Sequence, residues 1–304
     1  MQHYTNAIGA LNVTGGTVNF NNTTLNNGLT TISNSGTVNL NGSVAETSLT
    51  SISNSGTLNL QTAAPMTLSS VNLTGGTISN AGALTIGAFN VTNGTLSGAG
   101  AINLTGTGGL FSDSGADTLT ISGKTLTNSS TGNFTSMGYG TVGYDRASVA
   151  LANGASVVNA GTWTISSSQI IAGTGSNGGF TNTGTLNTGT TYGNWSGYGT
   201  GGNISVGFTN TGTVNGTVGT LSLTGSGNSQ TGTFNTVSGA TINFNAGTNN
   251  FTNAAPITGT GTISFSGTSV NTITNQVVAG TLANSGSAVT TLNSTAAANV
   301  VLHS

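Results

Sequence analysis

A repeat of about 20 residues near the start of the chain restricts the possible folds more than any other feature. Residues 29–40 are LTTISNSGTVNL and residues 49–60 are LTSISNSGTLNL, so the two blocks align without a gap. They differ only where Thr31 becomes Ser51 and Val38 becomes Leu58, and both exchanges keep size and polarity. A period of about 20 residues is too short for helical-hairpin arrays or propeller blades, and it fits one coil of a parallel β-solenoid.

Each repeat contains a strand and a corner. In residues 36–40 (GTVNL) apolar residues alternate with polar ones, which is the pattern of a strand with one buried face. Asn34, just before this block, and Gly36, its first residue, favour a corner, because Asn can bond to nearby backbone and Gly tolerates positive φ. One coil cannot bury its inner face alone, so coils must stack at about 4.8 Å per layer. Asn34 would then lie over Asn54, and stacked amides can form a hydrogen-bonded ladder.

A second repeat predicts longer coils in the second half of the chain. Residues 179–187 (GFTNTGTLN) recur as residues 207–215 (GFTNTGTVN), a wider spacing than that of the first repeat. The surplus over the basic coil most naturally forms a loop within residues 190–202. We therefore predict an all-β fold, a parallel β-helix (β-solenoid) with about 20 to 28 residues per coil. The predicted corner and ladder residues are Asn34, Gly36, Asn54, Gly56, Asn182, Gly184, Asn210 and Gly212.

The coils run through the whole chain, which predicts a single elongated domain over residues 1–304. Regular coils are expected at 8–104 and an irregular, charge-bearing stretch at 105–149. Coils with an aromatic loop excursion are expected at 150–304. A solenoid core is linear, so this length does not require a division into domains.

Charge and composition restrict the partners. The chain has 2 Lys plus Arg and 4 Asp plus Glu, so 2% of its residues are charged, against roughly 25% in ordinary proteins. Without a basic stripe to neutralise phosphates, nucleic acid is not expected as a partner. No apolar run is long enough for a membrane-spanning helix, so none is expected. The absence of cysteine is compatible with export without disulfides.

The charged residues offer only weak candidates for chemistry. A serine-protease interpretation of Ser114 requires a histidine base, and the only histidines are His3 and His303. Asp113, Asp117 and Lys124 could imitate the carboxylate clusters of polysaccharide-active β-helices, but the sequence does not fix the separation that such work needs. Asp113 and Asp117 also match half of a calcium-binding nonapeptide. We predict no enzymatic activity and no cofactor, with a calcium site as a minor alternative.

Four of the five tyrosines lie in two glycine-rich stretches outside the regular pattern. Exposed aromatic rings could stack on sugars, whereas the simpler interpretation is that they pack against the side of the solenoid. Rows of Thr, one per coil, could also form a flat ice-binding face. The candidate carbohydrate-binding residues are Tyr139, Tyr144, Tyr192, Trp195 and Tyr198.

The Gly-Thr-apolar-Asn-apolar coils, such as residues 36–40 and 56–60, resemble the right-handed parallel β-helix repeats of bacterial autotransporter passengers and filamentous-haemagglutinin-like adhesins. This resemblance implies a secreted or surface-displayed rod used for adhesion or scaffolding. It also implies an extracellular or cell-surface location and a segment of a larger repeat protein.

Two functions are therefore expected from different classes. The first is a non-enzymatic structural or adhesive rod whose partners are host or cell-surface glycans. The alternative is a self-assembling extracellular filament subunit, whose partner is a second copy in end-to-end or lateral contact. A carbohydrate-binding or polysaccharide-active β-helix is a minor alternative.

Overall fold

A computed structural model describes most of the chain. The described residues are 9–21, 29–42, 49–112, 117–129, 131–138, 147–175, 178–189, 201–225, 227–252, 256–274 and 277–293.

The described residues form strands joined by tight corners. The first half contains β1 Ala10–Val13, β2 Thr17–Phe20, β3 Thr31–Asn34, β4 Thr37–Leu40, β5 Ser51–Asn54, β6 Thr57–Leu60, β7 Met66–Leu73, β8 Thr77–Asn80, β9 Leu84–Val91, β10 Gly94–Ser97, β11 Ile102–Leu104, β12 Thr107–Ser112, β13 Thr118–Ser122, β14 Thr125–Asn128, β15 Asn133–Gly138 and β16 Ala147–Ala152. The second half contains β17 Ser156–Asn159, β18 Thr162–Ser166, β19 Ser168–Ala172, β20 Gly179–Asn182, β21 Thr185–Thr188, β22 Gly201–Ile204, β23 Gly207–Asn210, β24 Thr213–Gly216, β25 Thr220–Leu223, β26 Gly227–Gln230, β27 Thr233–Thr236, β28 Thr241–Phe244, β29 Thr248–Phe251, β30 Ile257–Phe265, β31 Val270–Ile273, β32 Val277–Asn284 and β33 Val289–Leu292.

These strands stack in parallel on three faces, which the chain visits in the order A, B, C. Face A contains β1, β3, β5, the second half of β7 and of β9, β12, β15, β18, β21, β24, β27 and the first part of β30 and of β32. Face B contains β2, β4, β6, β8, β10, β13, β16, β19, β22, β25, β28 and the second part of β30 and of β32. Face C contains the first part of β7 and of β9, β11, β14, β17, β20, β23, β26, β29, β31 and β33.

The predicted parallel β-solenoid is confirmed, with roughly 21 residues per coil. Coil length varies more widely than expected. Met66 has Leu84 as its register partner in the next layer, whereas Ser168 has Gly202, which is nearly twice as far along the chain. The stretch 105–149, expected to be irregular, supplies strands β12 to β16 to the same three faces. Parallel pairing therefore continues through it, and the added residues lie between strands.

The core is a column of stacked apolar side chains. In β4 and β6 the second and fourth residues point inward, so Val38 lies over Leu58 and Leu40 over Leu60. Burial of each such side chain contributes about 1.5–3 kcal/mol. In the middle coils the column becomes aromatic, with the rings of Phe134 and Trp163 centred 4.4 Å apart.

Glycine opens the second strand of the repeat because the corner has no room for a side chain. A Cβ on Gly56 would lie 2.1 Å from the carbonyl oxygen of Gly36, and one on Gly212 would lie 2.1 Å from that of Gly184. The Gly36 oxygen accepts a 2.8 Å bond from the Thr57 N–H, so it cannot move aside freely. The sequence argument from positive φ was wrong here, since these four glycines do not adopt it. Close approach between layers is the actual constraint.

Candidate functional site

At the corner between faces A and B, buried asparagine side chains of successive layers are hydrogen-bonded to each other and form an amide ladder. Asn34 Nδ2 donates to Asn54 Oδ1 at 2.8 Å, and both side chains are buried. The same Nδ2 donates to the Thr57 carbonyl at 2.9 Å, while Asn34 Oδ1 accepts a 3.1 Å bond from Gly36 N–H. Each amide thus binds its own corner and the next layer, which fixes how two coils stack.

A longer ladder occupies the corner between faces C and A. Asn128 donates to Asn159 at 2.8 Å, Asn159 to Asn182 at 2.7 Å, and Asn182 to Asn210 at 2.8 Å. Sequence reasoning named the last two residues and missed the first two. Asn159 precedes Ala-Gly-Thr and so matches the Asn-x-Gly-Thr corner, but Asn128 is followed by Ser-Ser-Thr before its glycine. Gln230 follows in the column and instead donates to the Phe208 carbonyl at 2.9 Å.

Three of the longer connections between strands fall at one corner, between faces A and B. They join β12 to β13, β15 to β16, and β21 to β22. The layer between the last two, formed by β18 and β19, makes the same corner with the single residue Ser167 at a φ of 46°. The strands before and after these connections are hydrogen-bonded to strands of the neighbouring layers, so all three connections start and end on one side of the rod.

Most predicted binding residues belong to these long connections. Tyr139, Tyr144, Tyr192, Trp195, Tyr198 and Asp113 lie outside the described residues. The strands that flank their segments are described: each segment connects a strand of face A to a strand of face B, and one layer separates the two pairs of strands that flank the aromatic segments. This arrangement could not be deduced from the sequence. The repeat pattern is weak in residues 105–149, so the sequence does not show which face each later strand joins.

A buried polar cluster lies beneath this corner. Ser136 Oγ and Ser168 Oγ are 2.9 Å apart, and the Trp163 indole N–H donates to Ser136 Oγ at 3.3 Å. Ser168 Oγ also donates to the Ser136 carbonyl at 2.8 Å. All three side chains are buried. These bonds tie two successive layers together at the place where the long connections begin.

Lys124 is a buried cation at the corner between faces B and C. Its Nζ donates to Asn80 Oδ1, and its side chain is only 6% exposed. Burial lowers the pKa of Lys124 from 10.5 to about 8, because the charged form loses its hydration. Asn80 is held in place by its own Nδ2, which donates to the carbonyls of Gly82 at 2.8 Å and Gly100 at 3.2 Å.

Of the predicted charged residues, the structure describes Asp117 and Lys124, and it does not bring these two together. Asp117 precedes β13 and is half-buried, whereas Lys124 follows β13, and a strand of that length spans roughly 16 Å. Among the described residues, no three His, Cys, Asp or Glu side chains come together to hold a metal ion. No helix in that part of the chain is long and apolar enough to cross a membrane.

Comparisons of the chain with protein-family models, with curated proteins and with solved structures found no match.

Proposed function

We propose that this chain is a non-enzymatic structural or adhesive rod, displayed on a cell surface or secreted. The observation that carries the proposal is the continuous parallel pairing from β1 to β33, reinforced by internal amide ladders. Each ladder amide fixes the stacking of two coils, so the solenoid resists bending and shearing between layers. Stiffness along one axis is the property that a spacer or an adhesive stalk needs.

The corner between faces A and B supplies the adhesive part of the proposal. Its three long connections start from strands of face A. The buried contacts of Ser136, Ser168 and Trp163 join the layer of one of these strands, β15, to the next layer. Loops held by a rigid scaffold are the usual location of binding residues. With 2% charged residues in the chain, the expected ligands are neutral glycans rather than acidic polymers.

Glycan binding by the full chain tests this proposal. The protein is applied to immobilised neutral and acidic glycans, and the Trp195→Ala and Tyr192→Ala variants are compared with wild type. We expect binding to a neutral glycan that falls at least tenfold in either variant. Val270→Ala is the matched control, because Val270 is an exposed apolar residue, 45% accessible, on face C. Absence of glycan binding, or equal loss in the control, would contradict the adhesive role.

A filament subunit is the second candidate, and the last coils favour it. Val270 and Val289 are register partners on face C and are 45% and 56% exposed, so they form an apolar patch on the outer surface. The inward-pointing Leu292 in β33 is only partly buried, as is Phe20 in β2. Electron microscopy of the purified chain should show end-to-end fibres that Leu292→Lys or Phe20→Lys disperses. Short separate rods in the wild-type protein would refute this candidate.

A further inference from the structure

Face B presents an unbroken rank of threonines on its outer surface over six layers. The register aligns them one per layer, and each is exposed or half-exposed while its neighbours in the strand point inward. The rank consists of Thr17, Thr37, Thr57, Thr77, Thr95 and Thr120.

A second rank runs beside the first, two positions further along each strand. Its register partners are the short hydrogen-bonding side chains Asn19, Asn39, Asn59, Ser79 and Ser97, and Ser122 holds the same position relative to Thr120 in β13. Asn39 Nδ2 donates to Asn19 Oδ1, and Asn59 Nδ2 donates to Asn39 Oδ1, both at 2.6 Å. These bonds restrict the amide rotamers, so this part of the outer face is ordered before any ligand arrives.

Together the ranks form a two-dimensional lattice. Parallel strands set a repeat of about 4.8 Å along the solenoid axis, and alternate positions in a strand set a repeat of roughly 6.6 Å across it. The lattice contains no charged side chain. It ends after β13, because the register partner of Thr120 in the next layer is Ala150 and the one after that is Ile171.

The chemistry of this lattice excludes the common classes of partner. Without charge it cannot neutralise phosphate or carboxylate groups. A dry protein interface would have to bury many hydroxyl and amide groups, each of which needs a replacement hydrogen bond. The fitting partner is a flat solid that supplies hydrogen bonds at its own regular spacing. Water oxygens on the prism faces of hexagonal ice have in-plane repeats close to those of this lattice, and threonine offers them a hydroxyl and a methyl group.

We propose that the outer side of face B, from β2 to β13, binds the surface of ice crystals. Two shorter ranks of four threonines lie elsewhere on the solenoid, one on face A and one in the later layers of face B. They consist of Thr162, Thr185, Thr213 and Thr233, and of Thr220, Thr241, Thr262 and Thr281. The longest rank makes more lattice contacts at once, and binding to a solid surface strengthens steeply with the number of simultaneous contacts.

Partition into slowly growing ice tests the proposal with the full chain. We expect wild-type protein to enter the ice fraction and to inhibit ice recrystallisation. Thr57→Tyr, which places a bulky ring in the middle of the rank, should reduce both effects at least fivefold. Thr209→Tyr is the control, because Thr209 is half-exposed on face C outside the threonine ranks. Circular dichroism and melting temperature must show that both variants remain folded.

Each remaining outcome overturns the proposal. If wild type is excluded from ice to the same degree as serum albumin, face B does not bind ice. If Thr209→Tyr loses as much ice affinity as Thr57→Tyr, the lattice is not the binding surface. If Thr213→Tyr or Thr241→Tyr abolishes ice binding while Thr57→Tyr does not, one of the shorter ranks carries the activity. Binding to crystalline cellulose or chitin without binding to ice would identify a different solid.

Discussion

Replacement of Lys124 by Met should remove a pH dependence of stability that this one side chain creates. Lys124 is 6% exposed, and the hydrogen-bond acceptor that the structure gives its Nζ is Asn80 Oδ1. Its pKa is lowered from 10.5 to about 8 by burial. A lowered lysine pKa means that the folded state disfavours the charged form. Each pKa unit corresponds to about 1.4 kcal/mol, so the charge lowers stability by up to about 3 kcal/mol near neutral pH.

The direction of this pH dependence follows from the number of protons that the folded and the unfolded chain bind. Between pH 8 and 10.5 the unfolded chain holds the lysine proton and the folded chain has released it, so stability rises with pH across this window. The full gain is present above pH 10.5 and is lost as the pH falls towards 8. Lys124→Met should therefore be at least as stable as wild type at pH 7, even though Asn80 loses a donor, and its own stability should not rise across this window.

Urea unfolding at pH 7 and at pH 10.5 measures the effect. The relevant quantity is the wild-type change in unfolding free energy between the two pH values minus the change in Lys124→Met, because tyrosine ionisation is common to both proteins. Lys124→Arg is the second variant. Its guanidinium group keeps its charge at both pH values, so this variant should be less stable than Lys124→Met at both. Parallel stability profiles for wild type and Lys124→Met would refute the argument that this lysine is desolvated.

Residues at the corners between strands give three further predictions about stability and proteolysis. Asn182→Ala should lower the unfolding free energy by roughly 2–4 kcal/mol, because two buried amide partners lose a bond, whereas Asn187→Ala, on the outer surface, should cost under about 1 kcal/mol in the same urea titration. Gly212→Ala should lower the melting temperature by several degrees through its clash with the preceding layer, whereas Gly15→Ala, which has open space, should leave it nearly unchanged. In native protein, trypsin should leave the bond after buried Lys124 intact, as mass spectrometry of the fragments can show.

The architecture could be predicted because its signals are local and repeated. The alternation in GTVNL specifies which side chains face inward, and the constant spacing of the first repeats specifies which layers touch. Val38 over Leu58 follows directly from these two facts. The amide contact of Asn34 with Asn54 follows in the same way, since equal spacing places equal side chains in register.

The arrangement of the candidate site could not be predicted, for two physical reasons. Added residues between strands make some coils nearly twice as long as others, so the sequence alone does not show which face a later strand joins. The burial of Lys124 depends on Asn80, which lies two layers earlier and 44 residues away. Nothing next to Lys124 in the sequence marks it as buried, because a lysine after a strand and a glycine is ordinarily an exposed turn residue.

The position of the long connections explains how the fold accepts them. A solenoid layer contacts only the layers on either side, so an added segment is tolerated wherever the strands that flank it keep their partners. The corner between faces C and A carries the long Asn128–Asn210 amide ladder, whose amides must stay in register. The connections that follow these amides are short, with two to four residues each. Within the described residues, the amide ladder between faces A and B belongs to early layers, at Asn34 and Asn54. Beyond those layers the corner between faces A and B is free of that constraint, and there lie the connections from β12 to β13, from β15 to β16 and from β21 to β22.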